Sequence, residues 1–74
     1  MPHCAITMLP GRTDEAKKAL ADRIQKVLLE EFTDLKPEMI SVSIEDVERS
    51  NWISNINSIA PKAKWLIDSN FRNK

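Results

Sequence analysis

Two short segments of alternating polarity enclose one long helical pattern, and that order restricts the fold more than any other feature of the chain. Residues 3 to 9, His-Cys-Ala-Ile-Thr-Met-Leu, put Cys4, Ile6 and Met8 on one side and Ala5 and Thr7 on the other, the period of a half-buried strand. Ile40-Ser41-Val42-Ser43-Ile44-Glu45 repeats the pattern, with Ile40, Val42 and Ile44 facing one way and Ser41, Ser43 and Glu45 the other. Pro10-Gly11 stops the first segment, because proline lacks a ladder donor and glycine accepts turn dihedrals. Thr13 then caps a helix with Asp14 and Glu15 in its first turn, and the periodicity predicts that helix from about residue 14 to 32. Leu20, Ile24, Val27 and Leu28 form its apolar stripe, while Lys18, Asp22, Gln25 and Lys26 cover the opposite face. Leu29 lies off the stripe and reads as a surface leucine or a subunit contact. Pro37 bars further helix.

Strand, long helix, strand is a βαβ unit, so the fold class is α/β with parallel pairing and a right-handed crossover. Two parallel strands do not make a sheet that stands by itself, and their edges are expected to pair or pack with another subunit. With 74 residues the chain is a single domain, 1–74, whose core is marginal without further support. Cys4 is the lone cysteine, so no internal disulfide is available, and no Cys/His cluster offers metal-ligand spacing. Subunit packing is what remains, and no stable monomer is expected. Beyond Val47 the period weakens until Ala60-Pro61, after which Ala63, Trp65, Leu66 and Ile67 predict a short terminal helix with Pro61 in its first turn. Ser69 to Lys74 is a polar, frayed end.

Eleven Lys and Arg balance eleven Asp and Glu, which leaves no strong field to attract nucleic acid or an anionic membrane. The apolar stretches are too short for a bilayer span, and the first residues lack the basic start and apolar run of a signal peptide. The expectation is a soluble cytoplasmic protein. One glycine excludes a glycine-rich phosphate loop, and no Ser/His/Asp or Cys/His pair has the spacing of a nucleophilic site.

Pro2 is the residue that can carry chemistry. Removal of Met1 before a small second residue would expose a secondary amine at the start of the first strand, where neighbouring elements can wall it from water. An apolar wall and a nearby cation would both disfavour the ammonium and make the amine a usable base near neutrality. Trp52 offers a wall and Arg12 a cation. Taken alone, however, Pro2 reads as an ordinary second residue and Arg12 as a solvated turn residue.

The run Pro2-His3-Cys4-Ala5-Ile6-Thr7-Met8-Leu9-Pro10-Gly11-Arg12-Thr13-Asp14-Glu15-Ala16-Lys17-Lys18 resembles the start of the 4-oxalocrotonate tautomerase family: terminal proline, strand, Gly-Arg-Ser/Thr, then an acidic-start helix. Ser41-Val42-Ser43-Ile44-Glu45-Asp46-Val47 is similar to the family's second strand, and Trp52 falls at its aromatic wall position. The resemblance covers about residues 2 to 52. It implies a cofactor-independent, metal-free isomerase in which Pro2 moves a proton between an enol oxygen and a carbon. Arg12 would hold a carboxylate or steady the enolate oxygen, and Trp52 would line the pocket.

Two departures refine the expectation. Ser41 stands where well-known members place a second arginine, which disfavours a dicarboxylate; a 2-keto acid enol with one carboxylate and an apolar or aromatic end, such as phenylenolpyruvate, suits Trp52 better. After Trp52 the chain lacks the glycine-containing hairpin of hexameric members and resembles the dimeric bacterial branch, so a homodimer is preferred over a hexamer. His3, beside Pro2, reads as a simple polar side chain rather than a catalytic one. Cys4 reads as a buried, inert thiol, and Trp65 as a packing or interface anchor. Two alternatives stay open: a hydratase or dehalogenase of an unsaturated acid, with Glu45 or Asp46 activating water, and a non-catalytic dimeric binding module.

Overall fold

A computed structural model describes residues 1–59 and 64–70 of the chain. Strand β1 (His3–Met8) leads through a turn into helix α1 (Asp14–Glu31). A 3-10 turn at Pro37–Met39 precedes strand β2 (Ser41–Asp46), a second 3-10 turn spans Arg49–Asn51, and helix α2 (Trp52–Asn57) follows directly. β1 and β2 pair in parallel, with Cys4 opposite Val42, Ile6 opposite Ile44 and His3 opposite Ser41. The ladder is extended at both ends, where Ser41 N–H donates to the Pro2 carbonyl at 3.3 Å and Val47 N–H to the Met8 carbonyl at 2.8 Å.

The turn after β1 is built as its sequence requires. Gly11 has a φ of +127°, a conformation that side chains with a Cβ resist. Thr13 is extended and its hydroxyl accepts the Ala16 N–H at 3.1 Å, satisfying one of the donors left open at the helix start. At the other end Phe32 N–H donates to the Leu28 carbonyl and the helix stops, five residues before Pro37.

α1 lies against β2. Its half-buried residues are Lys17, Leu20, Ala21, Ile24, Gln25, Leu28 and Leu29, a clean three-and-four spacing. The predicted stripe is therefore turned about the axis: Val27 is half exposed, and Gln25 is half-buried instead of facing solvent. Polar ties explain the rotation. Gln25 Nε2 donates to the Pro37 carbonyl at 3.3 Å, and Lys17 Nζ reaches the Asp46 carboxylate at 2.8 Å, so both side chains face the β2 side of the helix. Val47 alone among the described apolar residues is buried, and no described side chain is fully so.

The short second helix begins at Trp52, earlier than the predicted one. Residues 64–70 form bends and a turn without helix, and the expected helix start at Ala60–Ala63 lies outside the described residues, as does the tail beyond Asn70. No helix of the described residues is long and apolar enough to cross a membrane.

Candidate active site

Pro2 sits half-buried one residue before β1, fixed through its carbonyl to Ser41. While Met1 is attached, the Pro2 nitrogen is an amide with no basic lone pair; Met1 itself is fully exposed, open to removal. Arg12 is exposed in the turn between Gly11 and the Thr13 cap. Trp52 is half-buried at the start of α2, beyond the end of β2.

Pro2 thus precedes the amino end of the sheet, whereas Arg12 and Trp52 both follow the carboxyl ends of their strands. Five steps of β1 separate His3 from Met8 by about 16 Å. One chain does not bring Pro2 and Arg12 together.

The sheet face away from α1 carries His3, Ala5, Thr7, Ser41, Ser43 and Glu45. There His3 gains the partners that the sequence did not reveal: its Nδ1 lies 2.6 Å from the Ser41 hydroxyl and its Nε2 3.0 Å from that of Ser43. Asp46, one candidate for activating water, is engaged by Lys17. Cys4 is half-buried and free. Among the described residues no group of three or more His, Cys, Asp or Glu side chains is placed to hold a metal ion.

A profile describing a tautomerase enzyme matches residues 2–60, beginning on Pro2. The chain belongs to the tautomerase family. A probable tautomerase of Bacillus cereus is 38% identical over 52 residues, spanning 70% of this chain and 84% of that protein. Two proteins named 2-hydroxymuconate tautomerase, from Bacillus subtilis and Comamonas testosteroni, are 35% and 36% identical over 52 residues, covering 82% and 81% of their lengths. The tautomerase described here is therefore an isomerase, and its parallel β1–α1–β2 unit is the family's fold. Neither reserve reading, hydratase or binding module, draws support from these similarities.

Proposed function

We propose that the protein converts the enol form of a small 2-keto acid to its keto form, with phenylenolpyruvate as the model substrate and Pro2 as the proton carrier. The observation that carries this reading is the family match that starts on Pro2, one residue before the strand that fixes it. After Met1 is removed, the Pro2 amine takes the enol O–H proton, electron density moves from oxygen through the double bond, and the resulting ammonium returns the proton to carbon. Arg12 holds the carboxylate and steadies the enolate oxygen through its fixed charge and planar fork of donors. Trp52 supplies an apolar wall that excludes water.

Since Pro2 and Arg12 lie at opposite ends of β1, the site is completed between subunits, and we favour a cytoplasmic homodimer. Among the described residues the outer edges of β1 and β2 pair with no further strand and Val47 is the one buried apolar residue, which supports association. Ketonisation of phenylenolpyruvate by untagged protein with a verified Pro2 amino terminus tests the assignment. Pro2→Ala, which keeps a small second residue, is expected to lower kcat/KM by about 100-fold or more. Undiminished activity in that variant removes Pro2 from the mechanism.

A further inference from the structure

Trp52 does not stand alone beyond β2. Together with Ile56 of α2 and with Trp65, Ile67, Asp68 and Ser69 from the segment 64–70, it lines a cavity of about 180 Å³ that is open to solvent on one side. Trp52 and Trp65 are the chain's two tryptophans, so the whole tryptophan content is spent on this one cavity. A cavity of about 150 Å³ lined by apolar side chains is sufficient for a benzene ring. The two indoles and Ile56 suit such a ring by stacking and by apolar contact, and Ile67, also on the lining, is 91% exposed.

The lining also speaks against a charged occupant. It contains no lysine or arginine among the described residues, and its one ionisable side chain is a carboxylate. A substrate carboxylate there would meet the Asp68 carboxylate and no cation among the described residues, whereas a ring gains apolar contact.

We propose that this cavity receives the aromatic ring of the substrate and that Trp65 is a specificity-determining residue selecting aromatic 2-keto acids over dicarboxylates. The proposal rests on the reading of Trp52 as the wall of the tautomerase site, and it gives the segment after α2 a function in substrate choice. Trp65, half-buried, lines the cavity together with Trp52 and Ile56 of α2. Asp68 and Ser69 edge it, with the Asp68 carboxylate accepting the Ser69 N–H at 2.7 Å.

The test has a binding arm and a kinetic arm on the untagged, processed protein. In Trp52→Phe the remaining fluorophore is Trp65, and phenylpyruvate is expected to change its emission saturably, while pyruvate and 2-ketoglutarate at equal concentration leave it unchanged. In Trp65→Ala the kcat/KM for phenylenolpyruvate is expected to fall about tenfold relative to that for 2-hydroxymuconate, with Trp65→Phe restoring most of the preference. A Trp65 emission blind to phenylpyruvate, or equal losses on both substrates, overturns the proposal. Should wild-type protein turn over no enol while Trp65 still reports phenylpyruvate, the cavity assignment stands and the tautomerase mechanism falls. The reverse pattern, rapid turnover with a silent Trp65, preserves the mechanism and removes the cavity.

Discussion

Both ring nitrogens of His3 meet serine hydroxyls on the neighbouring strand, and hydroxyls can donate or accept, so either neutral tautomer and the imidazolium are all accommodated. The bridge clamps β1 to β2 immediately after the residue that carries the proposed base. None of this is visible in the sequence, because a parallel pair joined by a long crossover has no turn to fix its register. Only the match of Cys4 and Ile6 to Val42 and Ile44 brings Ser41 and Ser43 beside His3. Replacing His3 by Ala removes both contacts, and since they are exposed the expected loss is about 1 kcal/mol, at the low end for two hydrogen bonds. Urea unfolding checks it: the midpoint should fall with an unchanged slope, and an unmoved midpoint would show that the bridge contributes nothing.

At the scale of elements, β1, α1 and β2 were legible because their residues repeat at 2 and 3.6 and because Pro10, Gly11, Thr13 and Pro37 punctuate them. What escaped was the rotation of α1, which depends on two polar side chains, Lys17 and Gln25, reaching particular atoms near β2. The position of α2 escaped too. Its six residues give less than two turns of periodicity, although Asn51 before Trp52, with Ile56 four residues on, is a faint start signal. The cap of α1 is the element's most testable feature. Thr13→Ala should cost about 1 kcal/mol by leaving the Ala16 N–H without its hydroxyl partner, whereas Thr13→Ser should retain most of that stability. In a domain of this size that loss corresponds to a fall of about 4–8 °C in Tm, measurable by calorimetry or circular dichroism.

For the whole molecule, the issue is how few residues one chain buries. Val27, Phe32 and Ile53 are each about half exposed, and Val47 is the one buried apolar residue among those described. In the proposed homodimer a second copy would cover surface of this kind, and its two-fold arrangement would bring the amino end of one β1 within reach of groups from the other chain. The separation of Pro2 from Arg12 along β1 turns this into a decisive experiment. If the protein is the proposed homodimer, Pro2→Ala and Arg12→Gln are each expected to lose most activity on their own. Mixed after unfolding and refolding together, half the dimers pair one chain of each kind, and each such dimer has one site with an intact Pro2 and an intact Arg12. The mixture should therefore recover about a quarter of wild-type activity if the two residues act across the interface. If each site draws both residues from its own chain, every site in the mixed dimer carries a defect and nothing is recovered.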